Sequence, residues 1–213
     1  MKPHLIMILA LAFITVATIE SKAQSPADVL KRGSNVTFFG VDFSKCKGVA
    51  LGVSAEEMRD NYFPAINTLL MVEQNKFDIR KYLMKSDVIN TLYDVNKGNQ
   101  TLDVANFDVY SIKEVKPLSE DTIAKMIEQY DLKDKTGDGL VFIAESLDKT
   151  GNFGTYYLVY FTMPEGKVIV SEKVSGKPQG FGVRNYWAYT IYDILKSDLQ
   201  ERLELIHLSK NRK

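Results

Sequence analysis

The sequence predicts an α/β fold of the α+β kind. It should be a mixed, largely antiparallel sheet covered by helices, with a C-terminal three-strand meander followed by a long helix. Three observations predict it. Residues 139–145, 155–162 and 167–174 are β-favouring runs, separated by the turn-forming stretches 148–152 and 164–166. Trp187, Ile191, Ile194, Leu195, Leu199, Leu203 and Ile206 then recur at spacings of three and four, the stripe of a helix with one buried face. Upstream, a strand-like run at 35–43 is followed by helical and strand-like segments in alternation.

Taken in order, the first residues report location. Lys2 stands in a short polar start, residues 5–19 are unbroken apolar and small residues, and Ser21-Lys22-Ala23 offers small residues where a signal peptidase reads them. The apolar run is shorter than the roughly 20 residues that span a bilayer as a helix. The expectation is a signal peptide over 1–23, cleaved after Ala23, and a mature chain starting at Gln24 that works in the periplasm or outside the cell with no transmembrane segment. Residues 24–34 read as a loose lead-in, 35–208 as a single domain, and 209–213 as a basic tail.

Within the domain, Val36, Phe38, Phe39 and Val41 mark the first strand, and residues 48–53 extend it or form a second. Ser54 with Glu57 is a capping box that opens a helix bearing Met58, Tyr62 and Phe63 on one face. Pro64 should kink or interrupt it, with the apolar spacing resuming at Ile66, Leu69, Leu70 and Val72. A short helix is expected near 78–84, a strand over 88–95, a turn at 96–99 and another strand over 107–112. Ser119 caps a helix that carries Ile123, Met126, Ile127 and Tyr130. In the last strand Val168 and Val170 alternate with Ile169 and Ser171, and a glycine-rich connector over 175–182 leads to the final helix.

The three-strand run closing in a helix resembles the small α/β domain of the N-terminal part of TolB and of the curli secretion protein CsgG. The segment Gly180-Phe181-Gly182-Val183-Arg184-Asn185-Tyr186-Trp187-Ala188 is similar to a signature of secreted Bacteroidetes proteins of unassigned function. The first resemblance implies a topology, the second an exported chain; neither implies a catalytic residue.

Composition narrows the function. Without Lys2, Lys22 and Glu20, 25 basic and 26 acidic residues remain, an overall balance that draws the chain neither to nucleic acid nor to an anionic membrane surface. A single cysteine, Cys46, rules out a disulfide framework. The histidines are His4, in the leader, and His207, near the tail. A serine or cysteine nucleophile usually has a histidine base, and zinc usually takes histidine or several cysteines, so these chemistries are disfavoured. Cys46 reads as a small buried hydrophobe and not as the partner of His207.

Four constellations invite a functional reading. Residues 134–145 match a calcium-binding EF-hand loop in part, with Asp134, Asp138, Gly139 and Glu145 in ligand or turn positions. Residues 140–143 favour a strand where the exiting helix should begin, so the expectation is two polar turns at the ends of one strand and no metal. The connector Lys177, Gly180, Gly182, Arg184 and Asn185 could hold an anion at a helix start. Against this stands a plain strand-to-helix turn whose glycines let Phe181 and Trp187 pack closely. Arg184 opposes the helix dipole there, so it should either pair with an acid of the domain or face an anion. Tyr186, Tyr189 and Tyr192 form a row that is either core rim or partner surface. Carboxylate pairs suited to glycoside hydrolysis are not singled out by any spacing.

The favoured reading is a non-enzymatic envelope or secreted module without a cofactor, which binds an envelope protein or self-associates. The alternative is a small-molecule or anion-binding protein, with hydrolase activity as one form of it, using the connector 176–185.

Overall fold

The computed structural model describes residues 24–210; the signal-peptide reading and the end of the tail lie outside them. The elements in chain order are α1 (Pro26–Val29), β1 (Asn35–Asp42), β2 (Lys47–Val49), α2 (Ala55–Glu57), a π-helical turn (Met58–Tyr62), α3 (Phe63–Val72), α4 (Ile79–Tyr82), β3 (Asp87–Asn90), α5 (Tyr93–Asn99), β4 (Asp108–Val109), α6 (Glu120–Ile127), β5 (Gly137–Asp148), β6 (Phe153–Met163), β7 (Val168–Gly176), α7 (Val183–Leu195) and α8 (Leu199–Lys210).

The α/β class holds, but the sheet is not largely antiparallel. Among the described residues it has seven strands, and β1 pairs in parallel with β3 and β5, as β2 does with β4 and β5. Only the β5–β6 and β6–β7 pairings are antiparallel. The reason is connectivity. Hairpins reverse the chain, whereas the N-terminal strands are joined through helical crossovers that return it in the same direction. Because β6 runs along the whole of β5, β1 and β2 must lie end to end on its other edge, like one strand interrupted at residues 43–46.

Helices cover both faces. On one, α3, α7 and α8 bury Phe63, Ile66, Trp187, Ile191 and Leu199 against Phe38, Phe142 and Tyr156. On the other, α5 and α6 bury Val95, Ile123 and Ile127 against Phe39, Val141 and Phe161. The meander is as expected, but the long helix is two. It breaks at Lys196–Asp198, where Asp198 takes a φ of 52°, and α8 then turns to lie against α1. Residues 93–99, expected as strand end and turn, are helix α5. Pro64 interrupts nothing: the π-turn widens the helix just ahead of it, with the Phe63 amide donating to the Met58 carbonyl, and Pro64 sits in the first turn of α3. The lead-in is fastened. Val29 and Leu30 are buried, Lys85 donates to the Val29 carbonyl at 2.7 Å, and Gln200 donates to the Leu30 carbonyl at 2.6 Å.

Candidate functional site

The sheet builds its most developed site where β1 stops. In a regular strand successive side chains alternate faces, and one inserted residue reverses the alternation beyond it. Such a bulge lies between Phe38 and Val41 in the register with β5. Gly40 occupies it at a φ of 90°, with no room for a side chain between Leu92 and Asn67. The consequence falls on Asp42. Phe39 faces the α5–α6 side, and Val41 faces the α3–α7 side. Asp42 is thereby turned toward α5 and α6, where the Tyr130 hydroxyl donates to its Oδ2 at 2.8 Å.

On the edge away from β5, β1 has no strand neighbour beside residues 39–43, since β3 pairs only with residues 35–38. Two asparagines take the neighbour's place. Asn67 of α3 accepts from the Val41 amide at 2.8 Å and donates to its carbonyl at 3.0 Å, and Asn99 of α5 accepts from the Phe43 amide at 2.6 Å. Asn67 also donates to the Asn96 side chain at 3.1 Å, tying α3 to α5 across the gap. The Val41 amide and carbonyl and the Phe43 amide are thus satisfied without a strand on that edge, which leaves the carboxyl end of β1 open.

The opening is a cleft of about 530 Å³, lined by Asp42, Ser44 and Lys45 from the strand end, Asp94, Lys97, Gly98 and Thr101 from α5 and its end, and Asp121, Lys125, Met126 and Tyr130 from α6 and its end. Its place follows a general rule. From β1 the chain runs through residues 43–46 and β2 before it reaches α2 and α3 on one face, whereas it leaves the adjacent parallel β3 into α5 on the other, and open α/β sheets form ligand crevices where such exits diverge.

Asp42 is the floor of the cleft, 2% exposed. Burial pushes its carboxyl above the usual carboxylate range, against the lowering effect of bonds from Ser44 and Tyr130 and of the nearby Lys45 charge. Burial, with the Asp42 charge and hydrogen bond behind it, raises the Tyr130 hydroxyl well above a normal phenol, so it stays a donor. Its ring is held by stacking on Phe39, centroids 5.5 Å apart. Asp94 accepts from the Asp131 amide at 2.8 Å and lies 3.4 Å from Lys135, and Lys125 pairs with Asp121 at 2.7 Å. Lys45 and Lys97 are exposed at the rim. A carboxyl on the floor and two cations above it suit a small polar molecule with hydroxyl or ammonium donors at one end and an anionic group at the other.

The Asp42 shift has a pH signature. A carboxyl raised on folding binds its proton more tightly in the native chain, so stability falls as pH rises from the ordinary carboxylate value through the native one. Asp42→Asn has no such proton. Its stability relative to the parent is expected to improve from about pH 4 to about pH 7, read by urea unfolding at both; an equal difference at the two would mean Asp42 titrates normally.

No family model matches the chain, and no curated protein or solved structure does.

The residues singled out by sequence lie elsewhere. Lys177 is exposed, and its backbone amide donates to Asp193 at 2.9 Å. Arg184 is exposed, and among the described residues its side chain bonds no carboxylate; its Nε donates to Asn185 Oδ1 at 3.1 Å. Asn185 in turn donates to the Phe181 carbonyl at 3.2 Å. Gly180 and Gly182 line a 270 Å³ hollow with Leu51, Lys149, Tyr186 and Trp187, without Lys177, Arg184 or Asn185. The connector's close approach is made at Gly176, where a Cβ would run into the Thr190 carbonyl of α7.

The tyrosines are half-buried and already partnered. Tyr186 donates to Asn152 at 2.8 Å and packs edge-on against Trp187. Tyr189 and Tyr192 meet edge-on, with Lys76 and Lys196 over their rings. Residues 137–145 of the calcium-like segment are strand β5, bounded by turns. Glu145, where the last ligand would be, is a buried bulge residue held by Tyr157 at 3.0 Å and Lys173 at 2.5 Å. Cys46 is buried, and burial raises its thiol far above normal; His207 pairs with Glu172 at 3.3 Å.

The cleft had a signal in the sequence: Asp42 stands inside an apolar run, two residues after a glycine. An acid at the end of a buried strand is costly unless something binds it.

Proposed function

We propose that this chain is an exported binding protein whose ligand is a small polar molecule held in the cleft at the carboxyl end of β1. What carries this is Asp42: a buried carboxyl, oriented by Tyr130 and Ser44, on the floor of an open cleft at the crevice position of the sheet. The apolar run over 5–19 and the likeness of the 180–188 segment to secreted proteins support export. The assembly reading has less behind it, because Tyr189 and Tyr192 lie against lysines and each other, and Tyr186 packs on Trp187 and bonds Asn152.

Gly98 supplies the test. A Cβ there would lie 3.8 Å from Asp42 Oδ2, an ordinary contact that fills the cleft floor without strain. Gly98→Ala should itself stabilise α5 by about 0.5–1 kcal/mol. Screened by thermal shift against hydroxylated carboxylates, amino acids, neutral sugars and inorganic phosphate, the parent is expected to respond to at least one compound, and Gly98→Ala to lose that response. A compound at about 100 times its Kd gives about 2.7 kcal/mol. Arg184→Ala is the counter-test: a response lost there and kept in Gly98→Ala would move the site to the connector and sink the cleft.

A further inference from the structure

The strand register collects two exposed aromatics at one end of the molecule. β2, β4 and β5 are parallel, with Val49 level with both Val109 and Asp148. β7 also runs with β5, since both are antiparallel to β6, and it ends where Gly176 meets Gly154. The segments following all four strands therefore emerge at the same end. Tyr110, directly after β4, is 100% exposed, and Phe181, in the segment after β7, is 95% exposed. Phe181 stands between Gly180 at a φ of 114° and Gly182 at 78°, conformations that side chains other than glycine resist, so the backbone is shaped to hold this ring out in water. The segments 149–153 and 176–186, joined by the Tyr186–Asn152 hydrogen bond, carry Lys149, Lys177 and Arg184 and no carboxylate. Asp193 accepts the Lys177 backbone amide, and Asp108 and Glu114 stand on the Tyr110 side.

We infer that this end of the sheet docks on an anionic lipid surface, Phe181 and Tyr110 entering the interfacial layer and Lys149, Lys177 and Arg184 meeting the headgroups. The exposed ring favours an apolar environment, and the cations around it select a negative one over a neutral one. An aromatic anchor flanked by cations fits a bilayer better than a protein pocket, because no concave partner shape is required of a single protruding ring on a glycine-hinged loop.

The test is co-sedimentation of the exported chain with vesicles of pure phosphatidylcholine and of phosphatidylcholine with one-third phosphatidylglycerol, at low and high salt. All variants share one N-terminus, so any contribution of residues 1–23 cancels in the comparison. Binding is expected on the anionic vesicles, weakened by salt. Arg184→Ala should reduce it about fivefold and Phe181→Ala about tenfold. Both side chains are exposed, so both variants should keep the parent's melting temperature, checked in parallel. Equal binding to the two vesicle types, or undiminished binding by Phe181→Ala, overturns the inference. So does concentration-dependent dimerisation that Phe181→Ala abolishes while vesicles bind nothing, which would assign the ring to a second copy.

Discussion

Trp187→Ala is expected to cost about 3–5 kcal/mol. The indole is 2% exposed and lies in the core shared by α3, α7 and the sheet, with Tyr186 edge-on at 5.0 Å between centroids. Neighbours cannot collapse into the void. β7 and α7 already touch backbone to backbone where Gly176 meets Thr190, so the helix cannot settle closer to the sheet. The cavity term is therefore kept nearly whole. Urea unfolding of the two proteins measures it. A loss below about 1 kcal/mol would mean that α7 repacks, and with it that the connector leading to Phe181 is less firmly placed than the register implies.

Asn67→Ala is the second large loss, expected at about 2–4 kcal/mol. Asn67 is fully buried and stands in for a missing strand, giving both an acceptor and a donor to Val41. Without it the Val41 carbonyl keeps Asn99 at 3.3 Å, but the Val41 amide is left buried with no partner. The same side chain links α3 to Asn96, so its loss also loosens the wall of the cleft. Asn67→Asp makes the cause visible. It keeps the acceptor, loses the donor and buries a charge, and should be no more stable than the alanine variant at neutral pH. If Asn67→Ala unfolds at the parent's urea midpoint, water can replace the asparagine, and the cleft is not held open by this side chain.

The C-terminal part of the fold was legible because its information is local. β5 and β6 carry apolar runs and β7 an alternating one, all bounded by turn-forming residues, and hairpins between neighbours in sequence are antiparallel by construction. Ser54, Ser119 and the Trp187 stripe marked helices for the same reason: a cap or a spacing is read within one or two turns. The direction of β1 to β4 was not local. It depends on which edge of β5 a strand reaches after a helical crossover, and no residue of Lys47–Val49 or Asp108–Val109 states that. The break between α7 and α8 was hidden too, because Leu199 and Leu203 keep the helical spacing while Asp198 turns the chain.

The candidate site divides the same way. The amino-acid sequence by itself determined that Asp42 ends an apolar run and that Gly180, Phe181 and Gly182 interrupt the path to a helix. Tertiary structure alone decided which face Asp42 meets, because the bulge at Gly40 exists only in the register with β5. It also decided that Asn67, in an apolar helix, and Asn99, 32 positions on at a polar helix end, replace a strand. A hydrogen bond made across such a separation leaves no mark on the residues beside it, so the cleft appears only once α3, α5 and α6 have closed around the end of β1.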